Sequence, residues 1–88
     1  MEVKTAEDLF KDIGFELADS PTSDYARYYQ KIEEKLVFVV SFMNSGRTVM
    51  SKYFVKDQGK IRRFKDLPID PYLLRAINAQ FAELGWIA

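Results

Sequence analysis

The feature that most constrains the fold of this 88-residue chain is the shortness of the links between its strand-like segments. Four segments are rich in aromatic and β-branched residues, as strands are: Tyr25–Lys31, Lys35–Met43, Arg47–Lys56 and Lys60–Lys65. Each link is a short turn, Glu33-Glu34 in the first case, and Gly46 and Gly59 stand where the other two hairpins need a positive φ. Because parallel neighbours need crossover connections of about a dozen residues or more, these links predict an antiparallel meander. Phe15–Leu17 is a shorter strand candidate, so the meander has four to five strands.

An amphipathic helix is predicted over residues 5–13, before the strands. Thr5 is a typical N-cap, and Asp8 completes a capping box three residues later. The apolar residues of this segment then recur at helical spacing: Ala6, Leu9, Phe10 and Ile13. Gly14 is placed to end the helix in the left-handed conformation.

A second helix is predicted after the strands. Asp70 is its N-cap and Pro71 occupies the first helical position, where a missing N–H is tolerated. Gly85 stops it, and Trp86 is the apolar residue that commonly packs back after such an end. One face of this helix is apolar and carries Leu73, Ile77, Phe81 and Leu84.

The fold class that follows is α+β: an N-terminal helix, an antiparallel meander and a C-terminal helix, with both helices packed on one sheet face. We expect one domain over residues 1–88, because the chain is no longer than a single domain. The apolar residues of both helices, Leu9, Phe10 and Ile13 with the second-helix set, should meet one face of strand 35–43. That strand is apolar on both faces, so its second face needs a cover, supplied either by neighbouring side chains or by a partner.

The tyrosines of the first long strand are further candidates for an interface. Simple alternation places Tyr25 and Tyr29 on one face of the sheet and Tyr28 on the other. Tyrosine is favoured at interfaces and equally favoured in strands for packing, so both roles stay open.

The composition leaves little room for catalysis. The chain contains no Cys and no His, which excludes thiol nucleophiles, Cys/His zinc sites and His-based triads. Its four glycines are isolated, so there is no phosphate-binding loop. We therefore predict a non-enzymatic protein with no catalytic residue, no metal site and no cofactor. Without a signal-peptide pattern or a long apolar run, we expect a cytoplasmic protein with no membrane partner.

The charges are balanced overall but unevenly distributed. Residues 1–34 carry a net charge of −5 and residues 47–65 a net charge of +6. The basic hairpin 47–65 could hold phosphates beside its aromatic residues, and the residues expected to bind are Tyr53, Lys60, Arg62, Arg63 and Lys65. The other reading is that these basic side chains decorate exposed strands and protect the sheet edge.

A resemblance covers nearly the whole chain. Residues 5–16 read Thr-Ala-Glu-Asp-Leu-Phe-x-x-Ile-Gly-Phe-Glu, a tyrosine-rich strand and hairpins follow, and the closing helix ends in Glu83-Leu84-Gly85-Trp86. This pattern resembles short proteins encoded by phages and prophages of Gram-positive bacteria. The resemblance implies an α+β fold and an accessory role in a phage, where such proteins include inhibitors of host enzymes and of host defence systems. It implies no functional residue.

The function expected from these observations is that of a small protein-binding module. It would present the outer face or the edge of its sheet to another protein or to a second copy of itself. The alternative is a nucleic-acid-binding accessory protein that uses the basic hairpin 47–65.

Overall fold

The computed structural model describes residues 4–58 and 60–87, and for residues 61–64 only the backbone is described. Its elements follow the predicted order: α1 (Ala6–Asp12), β1 (Glu16–Ala18), β2 (Tyr25–Glu33), β3 (Leu36–Met43), a short 3-10 helix (Ser45–Arg47), β4 (Thr48–Asp57), β5 (Lys60–Asp66) and α2 (Pro71–Glu83). The five strands lie side by side in chain order, and every neighbouring pair is antiparallel. The predicted α+β meander is confirmed. Within the described residues, neither helix is long and apolar enough to cross a membrane.

Helix α1 begins and ends as its sequence predicts. The Thr5 hydroxyl accepts from the backbone N–H of Asp8 at 3.2 Å, and the Asp8 carboxylate accepts from the N–H of Thr5 at 3.3 Å. Gly14 has a φ of 93°, and the N–H of Phe15 donates to the carbonyl of Phe10 at 2.9 Å. This is a Schellman end, and the rings of Phe10 and Phe15 meet edge to face at 6.0 Å.

Helix α2 is capped in the same way as α1, by a side chain at its start and a glycine at its end. The Asp70 carboxylate accepts from the N–H of Leu73 at 2.8 Å. At the other end Gly85 has a φ of 72°, and the N–H of Trp86 donates to the carbonyl of Phe81 at 2.9 Å. The rings of Phe81 and Trp86 lie 5.8 Å apart. Both helices are therefore closed by an aromatic pair that also faces the core.

The two helices are joined by a charged contact as well as by packing. The side chain of Glu83, in the last turn of α2, accepts a hydrogen bond from the N–H of Ala6 at 2.5 Å. A carboxylate is favourable at the positive N-terminal end of α1 and unfavourable at the C-terminal end of its own helix. The contact thus offsets the unfavourable position of the Glu83 carboxylate at the C-terminal end of α2.

The core lies between the helices and one face of the sheet. Its centre is aromatic: the ring of Phe10 stacks on Tyr29 with centroids 3.9 Å apart, and the edge of Phe42 meets both. The predicted core is confirmed, with Phe10, Leu73 and Ile77 buried. The other four predicted members are partly buried and pack against this centre: Leu9, Ile13, Phe81 and Leu84.

The predicted orientation of the tyrosines is wrong in one respect. Tyr25 pairs with Met43 and Arg27 with Phe42, so the intervening residue forms a β-bulge in β2. One extra residue shifts the alternation of side chains. Tyr25 therefore shares a face with Tyr28, ring centroids 5.6 Å apart, while Tyr29 enters the core.

Turns of the meander contain residues in the left-handed backbone conformation, with a positive φ. Gly46 has a φ of 70°, as predicted, whereas Gly59 lies outside the described residues. The first turn consists of Glu34 and Lys35 rather than Glu33 and Glu34, and Glu34 adopts a φ of 50° without the freedom of glycine.

Candidate functional site

The face of the sheet opposite the helices, here called the open face, is built largely from alternate residues of β3. Val40 and Phe42 point into the core, so Val37, Val39 and Ser41 point to the open face. These three residues are only 7%, 7% and 5% exposed, although the helices pack on the other side. Side chains of the neighbouring strands must therefore cover them, as one of the two sequence-based readings expects.

Those neighbouring side chains leave an indentation, here called the open-face groove. Its volume is about 370 Å³, near the lower end of the range for small-ligand pockets. Val39 and Ser41 form the floor, since their strand is central and both are buried. The walls come from β2 and β4: Tyr25, Tyr28, Met50, Lys52 and Phe54.

The register of the sheet explains how these walls converge. Ser41 is paired with Tyr28 on one side and with Met50 on the other. Val39 is paired with Lys52 in the same way. Since paired residues of antiparallel strands share a face, every second residue of β4 from Met50 is directed to the open face. The groove is thus a direct consequence of pairing a strand that is apolar except at Ser41 with two amphipathic strands.

The groove lining is mainly apolar, with polar groups at the ends of the tyrosine and lysine side chains. The edge-to-face contact between Tyr25 and Tyr28 holds two rigid rings at one wall. Burial, followed by the proximity of Tyr25, raises the pKa of Tyr28, so its hydroxyl is uncharged at neutral pH and can donate or accept a hydrogen bond. Met50 is 43% exposed and contributes a flexible, polarisable surface at the other wall.

One positive charge belongs to the groove lining. The Nζ atom of Lys52 lies 2.5 Å from a carboxylate oxygen of Asp66, whose side chain is 86% exposed. The positive charge that Lys52 contributes to the groove is therefore already paired with the carboxylate of Asp66 at the surface. A ligand would meet an apolar surface with this ion pair at its rim.

The residues predicted from the sequence to bind lie elsewhere. Tyr53 is directed to the face opposite the groove, where its ring is 6.0 Å from that of Phe38, and Lys65 is its register partner. Lys60 is opposite Asp57, at the far end of the hairpin. Lys60 and Lys65 are exposed. The structure therefore brings Tyr53 and Lys65 together but places Lys60 apart from them.

The side chains of Arg62 and Arg63 lie outside the described residues. Their backbone belongs to β5, in a stretch where the register with β4 shifts between Phe54 and Lys56. Their assignment as binding residues stays a prediction from the sequence.

Sequence reasoning missed the groove residues for an identifiable reason. Alternation along β4 separates Met50, Lys52 and Phe54 from Tyr53, but the sequence alone does not show which set faces the helices. The register of β4 against β3 decides it. On the β2 side, the bulge before Arg27 reverses the face of Tyr25 and hides the tyrosine pair.

Among the described residues, no group of three or more acidic side chains is arranged to hold a metal ion. Comparison of the chain with protein-family models, with curated proteins and with solved structures finds no match. A function must therefore be inferred from the chain's own surface chemistry.

Proposed function

We propose that this protein is a non-enzymatic binding module that recognises another protein through the open-face groove. The observation that supports this is the concentration of aromatic and apolar residues on a sheet face that neither helix covers. Tyrosine, methionine and phenylalanine are enriched at protein interfaces, and large stiff rings give contact area with little loss of conformational entropy. The groove combines all three residue types around a buried floor.

The occupant that fits best is an apolar side chain of a partner protein, with a carboxylate beside it. An apolar group would displace water from the floor above Val39 and gain the usual benefit of apolar burial. A neighbouring carboxylate could share Lys52 with the exposed Asp66. The tyrosine hydroxyls would satisfy backbone groups at the rim.

Nucleic-acid binding by the basic hairpin is the alternative, and the arrangement of the described cations favours it less. Lys52 is paired with Asp66, whereas Lys65 is the register partner of Tyr53 and is directed to the opposite face of the sheet from Lys52. A nucleic-acid site needs cations that converge on one backbone track. Lys60 and Lys65 are exposed, so the nucleic-acid hypothesis retains two candidate phosphate contacts in addition to Arg62 and Arg63.

The biological setting is also a proposal. The resemblance of residues 5–16 and 83–86 to short phage and prophage proteins makes a protein of a Gram-positive host the first candidate partner. We place this activity in the cytoplasm.

A matched pair of charge insertions tests the groove. Met50 and Leu74 are similarly exposed, 43% and 48%, but Leu74 lies on α2, away from the open face. After the partner has been captured from host lysate and purified, its affinity should fall at least about thirtyfold for Met50→Glu. The new carboxylate replaces an apolar contact and competes with the partner's carboxylate for Lys52, and losing one member of a buried charge pair costs about 2–5 kcal/mol. Leu74→Glu should leave the affinity within about threefold, because exposed substitutions are usually within about 0.5 kcal/mol. Equal losses from both variants, or none from Met50→Glu, would refute the groove as the binding surface.

Charge reversal of the basic strand tests the alternative. Arg62→Glu with Arg63→Glu removes two candidate phosphate contacts and should not weaken partner binding more than about tenfold if the groove is the site. A nucleic-acid complex that persists at physiological salt, shows a log–log salt slope of about −0.9 per neutralised phosphate and disappears in this double variant would favour the alternative.

A further inference from the structure

A second concavity lies on the helix side of the sheet, where α1, the segment after β1, β2 and the end of α2 meet. Its volume is about 450 Å³, and polar atoms dominate its lining. The side chains that matter for its chemistry are Glu7, Asp19, Arg27, Tyr29, Gln80 and Glu83. It shares no residue with the open-face groove.

The charge of this cavity is negative. Glu7 comes from α1, Asp19 from the segment after β1, and Glu83 from α2, so three carboxylates approach one space from three directions. Arg27 brings one opposing charge, and its guanidinium donates to the carbonyl of Ala26 at 2.8 Å. One oxygen of Glu83 is occupied by the N–H of Ala6, and Glu7 lies 3.2 Å from Lys11. The carboxylates are thus partly engaged, but they are not matched by an equal number of cations lining the cavity.

The inner end of the cavity holds an unsatisfied polar group. Gln80 is 1% exposed, and its Oε1 accepts a hydrogen bond from the hydroxyl of Tyr29. Its Nε2 is buried and has no hydrogen-bond partner among the described residues. A buried polar atom left unpaired is costly, so a ligand that pairs with the carboxamide is favoured over an apolar one.

The Gln80 carboxamide can offer either its NH₂ donor to an anion or its oxygen acceptor to a cation. In the structure the Tyr29 hydroxyl donates to Oε1. If the carboxamide turns by 180°, Nε2 donates to the Tyr29 hydroxyl oxygen, and Oε1 becomes the free atom. The hydroxyl proton must then turn towards Glu7 or Glu83, the carboxylates that, after burial, raise the pKa of Tyr29. A free amide oxygen beside three carboxylates forms a set of acceptors around one space. Such a set needs a ligand with several N–H donors that point in different directions.

We propose that this cavity binds a guanidinium group, the side-chain group of arginine, either in the free amino acid or in a protein that presents it. Guanidinium is planar, carries five donors in a fixed fork and pairs with carboxylates in bidentate fashion. It is also more weakly hydrated than an ammonium group, so its transfer to a cavity floor formed by Tyr29 and Gln80 is less costly.

The test uses N-acetyl-arginine amide as the probe and follows the side-chain NH₂ resonances of Gln80 by NMR. Gln80→Leu assigns those resonances by removing them. The matched neutral probe is N-acetyl-citrulline amide, which has the same shape without the charge. We expect the arginine probe to shift the Gln80 resonances with a dissociation constant of about 1 mM, and to do so less as salt is added. Free arginine in a parallel titration distinguishes the two sources, because tighter binding of the capped probe indicates an arginine within a protein chain.

Two charge-neutralising variants complete the test. Asp19→Asn should weaken binding by about two- to fivefold, within the range measured for the removal of one exposed ion pair. Glu16→Gln removes the same charge nearby but outside the cavity, and should leave the affinity unchanged. The proposal fails if the arginine probe leaves Gln80 unshifted, if the citrulline probe shifts it equally, or if the two variants behave alike. None of these outcomes bears on the open-face groove, so the two proposals stand or fall separately.

Discussion

Replacing Tyr29 by Phe removes a single oxygen from the centre of the core and should change stability in two separable ways. Tyr29 is 1% exposed, and its hydroxyl donates to Gln80, which is equally buried. At neutral pH the variant leaves the carboxamide without its partner, and the expected loss is about 1–3 kcal/mol in the free energy of unfolding.

The second effect of Tyr29→Phe depends on pH. Burial raises the pKa of Tyr29 to about 12, with Arg27 opposing the shift and Glu7 and Glu83 adding to it. The folded protein keeps the phenolic proton while the unfolded chain, with its ordinary value of 10.0, releases it. The stability that Tyr29 contributes is therefore complete below pH 10 and is lost as the pH rises towards 12. At 1.36 kcal/mol per unit, this loss is on the order of 2–3 kcal/mol in the wild type and absent in the variant.

Urea unfolding at a series of pH values between neutrality and pH 12 measures both effects. The difference in unfolding free energy between wild type and Tyr29→Phe should be largest near neutrality and should narrow above about pH 10. Tyr72 is 72% exposed, so Tyr72→Phe serves as a control that should leave the wild-type curve unchanged. Parallel curves for wild type and Tyr29→Phe across the alkaline range would show that folding does not raise the pKa of Tyr29.

Three further predictions concern the backbone and are measured by chemical denaturation. Gly14→Ala and Gly85→Ala should each lose about 1–2 kcal/mol, because both positions have a left-handed φ, and the loss should be greater at Gly14, where an added Cβ would lie 2.9 Å from the Lys31 side chain. Equal losses would show that the Lys31 stem moves aside freely. Glu34→Gly should gain about 0.5 kcal/mol by relieving a φ of 50°, and a loss of stability would contradict that account of the turn. Asp70→Ala should lose about 1 kcal/mol through the missing N-cap bond and leave partner affinity unchanged, whereas weaker binding at unchanged stability would assign that carboxylate to the site.

The parts of the fold that the sequence predicts well are those governed by local chemistry. The capping box at Thr5, the N-cap at Asp70 and the glycine ends of both helices depend on residues within one turn of each other. The order of the strands follows from link length alone. These features need no knowledge of what packs against them.

The parts that the sequence does not predict depend on register. A single extra residue in β2 moves Tyr25 to the open face, and no local signal marks the bulge. Met50 and Phe54 become groove residues only through their pairing with β3. By contrast, Gln80 could have been noticed, since it lies among the apolar residues Ala76 and Ile77 on the buried stripe of α2, where a polar side chain needs a partner.

The most direct test of the open-face groove is an NMR footprint of the captured partner on the folded protein. Backbone amide shifts report contact along each strand independently of any substitution. We expect the largest changes on Val39, Ser41 and Met50, with α2 little affected. Changes confined to β5 between Lys60 and Asp66, with the groove residues unmoved, would contradict it.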